Sequence, residues 1–320
     1  MKKILSVITG FLLFSTALYS QQLPLNESYF INKYSLASAY AGNSENNTLF
    51  ASYRRDWSGE GSAAPHTIRL SYNNGLKNTH VGLGGKLIMD KIGIFQNFIG
   101  MASYSYRLES RYDHIYFGIS AGFIQSSIDF SDYYNDPNFN YDPVMTRGDV
   151  SSRLKFISDL SMVYKHKSFQ TGFALSNVGY GEYSYSEVQS GNKPYANYQV
   201  HALYSLRLDD LWQVTPLAIY RGGKNMKSQL EVAVQAKCDD RFWGNVALRG
   251  KDIFCVGMGF DASKELVVNY TYNFSTGISF SKFQNHELTV GIRLSAFSPR
   301  YKSMRYEDFK SRVGSFLNKK

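Results

Sequence analysis

The chain has 320 residues, a formal charge of +9, two cysteines and seven prolines. That length suits one large closed sheet or two soluble domains, and no Pro/Ser-rich linker divides it. The positive charge does not indicate nucleic acid, because Lys and Arg are scattered through turns and strand ends without a basic-aromatic cluster; it fits a solvated surface or attraction to anionic lipid headgroups.

The start, Met1-Lys2-Lys3 followed by the apolar run Ile4 to Leu18, has the basic region, short apolar stretch and small-residue exit of a secretory signal peptide. Residues 1–20 are read as that peptide, cleaved after Ser20, with Ala17 as the alternative site. An uncleaved anchor is disfavoured because the run falls short of the roughly 20 residues a spanning helix needs. No other stretch is long and apolar enough to span as a helix, so a membrane role falls to strands. A mean hydropathy of −0.31 agrees with this, since half of each barrel strand is polar.

Residues 21–47 do not alternate and are too long for a simple lead-in. They read either as a solvated periplasmic leader or as a plug tucked into a barrel. From there the chain alternates with the period of two that a strand between lipid and a wet lumen requires. About fourteen candidate strands result, at roughly 48–57, 64–74, 77–90, 94–108, 112–128, 150–165, 168–177, 198–208, 211–221, 226–238, 241–250, 251–261, 264–273 and 285–297. In one of them Ile115, Phe117, Ile119, Ala121 and Phe123 are expected to face lipid, and Tyr116, Gly118, Ser120 and Gly122 the lumen. The breaks alternate too. Asn73-Asn74-Gly75, Glu109-Ser110-Arg111, Lys165-His166-Lys167, Asp209-Asp210, Asp239-Asp240 and Ala262-Ser263-Lys264 are tight, whereas 129–149 and 178–197 are long. Short periplasmic turns and longer external loops are the expected topology.

The predicted fold is therefore all-β, a transmembrane antiparallel β-barrel over 48–297, with a plug-like N-terminal segment over 21–47. Pro299 stops the pattern, and 298–320 read as a short basic periplasmic tail. Both termini are expected in the periplasm and the barrel in the outer membrane. Cys238 and Cys255 fall about two strands apart, which favours unpaired strand residues over a disulfide.

Catalytic signals are missing. The six histidines are dispersed without metal-ligand spacing, and no nucleophile elbow or Walker loop occurs. No enzymatic activity, metal or cofactor is expected. Val81-Gly82-Leu83-Gly84-Gly85 reads as a strand whose glycines permit strand curvature or close approach of an internal plug. In Tyr53-Arg54-Arg55-Asp56-Trp57, consecutive arginines must point to opposite faces. One reading makes this an interfacial girdle with Trp57 at the boundary; the other makes Arg54 or Arg55 an inward clamp for a plug or a partner's carboxylate. Asp90-Lys91 reads as a rim turn, with a functional ion pair as the alternative.

Several of these residues resemble the PorP/SprF family of type IX secretion system outer-membrane proteins. Gln21-Gln22-Leu23-Pro24, Tyr29-Phe30-Ile31-Asn32 and Ala39-Tyr40-Ala41-Gly42 are similar to its opening motifs. Tyr53-Arg54-Arg55-Asp56-Trp57 followed by Ala64-Pro65-His66-Thr67, Val81-Gly82-Leu83-Gly84 through Asp90-Lys91-Ile92-Gly93, and His286-Glu287-Leu288 match later ones. Ser38-Ala39 stands where the family has Asn-Pro, and Asp56 where it has Gln. The resemblance implies a barrel that helps particular secreted proteins, often adhesins with a type-B C-terminal sorting domain, across the outer membrane. Its partners would be that passenger, the translocon, periplasmic components and membrane lipid. Tyr40, Gly42, Arg54, Arg55, Trp57, Asp90 and Lys91 are the candidate plug or partner-binding residues. The rival readings are an uptake barrel resembling fatty-acid transporters and a motor-anchoring barrel using its basic tail.

Overall fold

The computed structural model describes residues 26–42, 47–59, 64–76, 79–129, 150–151, 154–178, 196–223, 226–276 and 284–294. The strands are β1 (Thr48–Arg55), β2 (His66–Gly75), β3 (Val81–Ile92), β4 (Phe95–Glu109), β5 (Asp113–Ile128), β6 (Val150–Ser151), β7 (Lys155–His166) and β8 (Phe169–Ser176). They continue with β9 (Asn197–Tyr204), β10 (Leu206–Arg207), β11 (Trp212–Gly223), β12 (Met226–Cys238), β13 (Phe242–Arg249), β14 (Ile253–Asp261), β15 (Leu266–Ser275) and β16 (Gln284–Arg293).

Every neighbouring pair is antiparallel. Short β6 and β7 lie end to end along β5, and short β10 prolongs β9 along β11. The sheet therefore has fourteen staves, and it closes where β1 pairs β16 from Thr48↔Arg293 to Arg55↔His286. Closure leaves no edge whose backbone groups lipid would have to satisfy. The predicted strands all appear, with ends displaced by a few residues. The last one stops at Arg293, short of the expected 297.

Alternation sorts the side chains as the pleat requires. On β13, Phe242, Val246 and Leu248 are exposed, and Trp243, Asn245, Ala247 and Arg249 are buried. On β5, Phe117, Ile119 and Phe123 are exposed to the outside, and Tyr116 and Ser120 are buried inside. Tyr104, Tyr106, Phe169, Tyr204, Trp212, Phe242 and Phe260 form an exposed aromatic belt toward one rim; Tyr53, Phe95, Phe156, Tyr220 and Phe254 do so toward the other. Two such girdles mark the interfaces of an outer-membrane barrel.

The two rims differ. One carries the connections at 76–80, 110–112, 167–168, 239–241 and 262–265, together with the start of β1 and the end of β16. At the 239–241 hairpin, Asp239 and Asp240 both take positive φ, 50° and 51°, as the two central residues of a type I′ turn do. The opposite rim carries the wide connections at 56–65, 129–149, 177–196 and 276–283 beside short ones at 93–94, 224–225 and 250–252. The long loops expected at 129–149 and 178–197 fall largely outside the described residues, as does the tail beyond Leu294. Cys238 and Cys255 are both free thiols.

Candidate functional site

The lumen is occupied by the chain's own residues 26–42. This segment enters with a turn at Ser28, where the amides of Ile31 and Asn32 bond its carbonyl, and continues as two 3₁₀ turns, Lys33–Ser35 and Ser38–Gly42. Tyr29, Ala39, Tyr40 and Ala41 are 0–2% exposed. Together with Tyr34, Leu36 and Ala37 they form one apolar cluster with barrel residues Tyr116, Val163, Leu203, Leu217 and Ile219. The segment runs from the long-loop rim, where Glu27 meets Arg54 and Glu287, toward the level of Gly118 in the other half of the barrel. Both termini were expected at the short-turn rim. The described part of the N-terminal segment starts at the opposite one, and residues before Asn26 lie outside the description.

Its principal attachment is a carboxylate latch. Glu27 Oε1 accepts from Arg54 Nη1 at 2.9 Å and Asn273 Nδ2 at 2.8 Å, and Glu27 Oε2 accepts from Arg249 Nη2. Arg249 Nε also donates to Glu231 Oε2 at 2.8 Å, which Arg221 Nη1 reaches at 2.7 Å. Tyr29 donates its hydroxyl to the other Glu231 oxygen. Glu287 accepts from the Glu27 amide and from Ser28 Oγ at 2.8 Å. Arg54 also donates to Asp56 through Nε at 2.9 Å. The latch therefore joins β1, β13, β15 and β16 through Glu27 and reaches β11 and β12 through Tyr29, Arg249 and Glu231, each charge answered and hydrogen-bonded, the condition under which buried charges are tolerated.

Burial alone would push the Glu27 carboxyl up; attraction by Arg249 and Arg54 more than offsets it and holds the group well below the usual carboxylate range. A carboxyl lowered by folding contributes stability that is fully present above its unfolded value, about 4.3, and is lost as pH falls through the folded value. The part of the protease resistance of residues 26–42 that depends on Glu27, read as the difference between wild type and Glu27→Gln in membrane vesicles, is therefore expected to stay constant from roughly pH 8 to 5. A difference that vanishes already near pH 6 would contradict the latch.

Below the latch the plug is held mostly by neutral contacts, with the Lys33 ammonium also donating to Gln170 Oε1 at 3.1 Å. Tyr34 and Ser103 share a 2.6 Å hydrogen bond, the Ala39 amide donates to Ser161 Oγ at 2.8 Å, and Tyr40 Oη lies 2.9 Å from His201 Nε2. Two strand glycines make room. A Cβ on Gly84 would stand 2.8 Å from the Tyr34 ring, and one on Gly118 only 2.2 Å from the Ala39 backbone nitrogen. The glycine-rich β3 read in the sequence thus faces a plug side chain, and the closer approach is on β5.

The candidate residues separate. Arg54 is inward and buried, whereas Arg55 is half-buried on the opposite phase. Tyr40 contacts His201, and Gly42 closes the second 3₁₀ turn. Trp57 is 46% exposed, with a positive φ of 49° and its amide donating to Asn285. Asp90 and Lys91 are not a rim turn. They belong to β3 and point to opposite faces, with Asp90 accepting from Thr67 at 2.7 Å and Lys91 lying 3.7 Å from Asp129. Glu27, Arg221, Glu231 and Arg249 were not singled out by the sequence, and Glu287 entered only as part of the His286-Glu287-Leu288 resemblance. No His/Cys/Asp/Glu group suited to a metal ion occurs among the described residues.

No curated protein matches the chain. Among solved structures, the CymD monoaromatic hydrocarbon channel aligns at 10% identity and a TM-score of 0.48, covering 84% of this chain and 92% of its own. The Ralstonia pickettii toluene transporter TbuX aligns at 9% identity and a TM-score of 0.48, covering 87% and 97%. A Pseudomonas aeruginosa FadL homologue aligns at 11% identity and a TM-score of 0.45, covering 86% and 96%. The sequence itself is more informative: residues 18–292 match the model for type IX secretion system membrane protein PorP/SprF, a span that takes in plug, latch and all fourteen staves. This outer-membrane barrel belongs to the PorP/SprF family of type IX secretion system membrane proteins.

Proposed function

We propose that the barrel is an accessory of type IX secretion that receives a secreted, adhesin-like protein through its C-terminal sorting domain and holds it at the outer membrane. The observation that carries this reading is the filled lumen. A barrel whose bore is closed by its own segment, tied by Glu27 to Arg54 and Arg249, suits the holding of a partner better than free passage of solutes. The translocon supplies transport of the partner; the barrel supplies a rigid seat fixed in the membrane. Residues 1–20 are proposed to be a cleaved export signal, and residues 298–320 a periplasmic contact for the machine.

Deletion of the gene is expected to abolish surface display of one cognate secreted protein while other secreted proteins remain at normal levels. Display of every secreted protein unchanged in the deletion strain would overturn the reading. An uptake role would instead show as ligand-dependent conductance of the purified barrel in planar bilayers.

A further inference from the structure

Inward positions of a barrel are ordinarily polar or wet. Here Ile88 on β3, Ile99 and Met101 on β4, Ile124 on β5 and Ile157 on β7 form an inward-facing aliphatic wall across four consecutive staves, toward the long-loop rim. No described plug residue belongs to this cluster; the plug's apolar residues pack lower, against Tyr116, Val163 and Leu217. Beside the wall lies a cavity of about 200 Å³, bounded also by plug residues Asn26, Asn32 and Leu36 and by Asn177, Asn197 and Gln199.

The polar side of that cavity is made chiefly of primary amides and hydroxyls. Asn32 is 5% exposed and donates through Nδ2 to Ser71, while its Oδ1 has no hydrogen-bond partner among the described residues. The Oδ1 of Asn197 is in the same condition. Buried acceptors of this kind are costly unless a donor reaches them. The two ionic pairs at the site are internally matched, Lys86 with Asp159 and Arg221 with Glu231, each at 2.7 Å. Arg69 lines the cavity as a further cation. An aliphatic wall facing unsatisfied amide oxygens suits a segment that brings an aliphatic side chain and N–H donors together. The volume is smaller than a typical drug-sized pocket of about 300–1,000 Å³.

We infer that this cavity is a binding site for a short polypeptide segment, one aliphatic side chain on the Ile88–Ile157 wall and its backbone amides on Asn32 and Asn197. It deepens the partner-holding reading by locating where part of the partner sits, and it rests on that reading for the biological source of the peptide.

The test uses the full barrel in lipid nanodiscs, which avoids detergent competing for the aliphatic wall. The probes are acetyl-Ala-Ile-Ala-amide, acetyl-Ala-Ser-Ala-amide and decanoate, followed by saturation-transfer NMR. The Ile peptide is expected to bind, with the Ser peptide and decanoate at least tenfold weaker. Ile157→Asn and, separately, Asn197→Ala should each weaken the Ile peptide about tenfold; unaltered heat-modifiability on gels would show that the variants fold. Decanoate binding with no peptide binding would make the site one for amphiphiles and overturn the inference, as would no binding of any probe or indifference to both substitutions. Loss of cognate display on gene deletion is read independently, so peptide binding without a display defect would leave the site standing and remove the secretion role.

Discussion

Glu27→Gln is expected to raise the population of barrels with a released plug by about two to three orders of magnitude. Gln keeps the shape and one acceptor oxygen, but it presents an amide to two guanidinium groups that had shared a carboxylate. Breaking one partner out of a buried ion network costs about 3–5 kcal/mol, because the remaining charges stay buried. Each 1.4 kcal/mol corresponds to roughly a factor of ten. The lower end of that range is the better expectation here, since Arg54 retains Asp56 and Glu287 and Arg249 retains Glu231. Opening is rapid relative to cleavage at low protease, so the rate of proteolysis within 26–42 reports the open population. A cleavage rate within threefold of wild type would mean that the contacts remaining without the Glu27 carboxylate hold the segment. Pairing Glu27→Gln with Arg249→Gln in a double-mutant cycle then separates their coupling from other losses, and a strongly non-additive pair is expected.

How far this latch was legible in the sequence depends on what each signal records. Alternation is local, so it gave the staves and their faces, as on β5 and β12, where exposed Leu230, Val232 and Val234 flank buried Glu231 and Ala233. Two successive arginines likewise implied that one must turn inward, and Arg54 does. Partnership is not local. Glu27 meets Arg249 across 222 positions and Glu287 across 260, and these become neighbours only once β1 closes on β16. Single charges such as Glu231 and Arg249 look in sequence like any wet lumen position. A signal was nonetheless present. Four arginines are buried on inward strand positions, Arg54, Arg69, Arg221 and Arg249, and of the buried strand carboxylates Asp159 is already engaged by Lys86. Asp90, Glu231 and Glu287 leave the set one carboxylate short, and Glu27 stands in the segment that does not alternate. A charge balance over inward positions would have drawn attention to it. The reading of Asp90-Lys91 as a turn failed for the opposite reason: polar residues end a lipid-facing pattern but do not end a strand whose inner face is wet.

Gly118→Val tests the lower half of the plug without touching any charge. The added Cβ would stand 2.2 Å from the Ala39 nitrogen and 2.6 Å from the carbonyl carbon of Ser38, both backbone atoms, so no rotamer change relieves it. Overpacking a filled interior costs about 1–3 kcal/mol, and a clash with backbone falls at or above the upper end. The strand itself gains, since a β-branched residue suits a strand better than glycine. The damage is therefore expected in the plug: the Ser38–Gly42 turn is pushed off Ser161, and Tyr40 leaves His201. Glu27 remains tied at the other rim, so cleavage should appear near residues 38–42 while 26–32 stay protected, the reverse of the pattern for Glu27→Gln. Gly84→Ala makes a sharper comparison than a second bulky change. Its Cβ would meet the Tyr34 ring at 2.8 Å, and a side chain can tilt where a backbone cannot, though Tyr34 must then weaken its 2.6 Å contact with Ser103. The expected order of plug release is Gly118→Val, then Gly118→Ala, then Gly84→Ala. Equal protection of all three variants at 38–42 would show that the segment does not press on β5 in the membrane, and the filled lumen would lose its support as the basis for function.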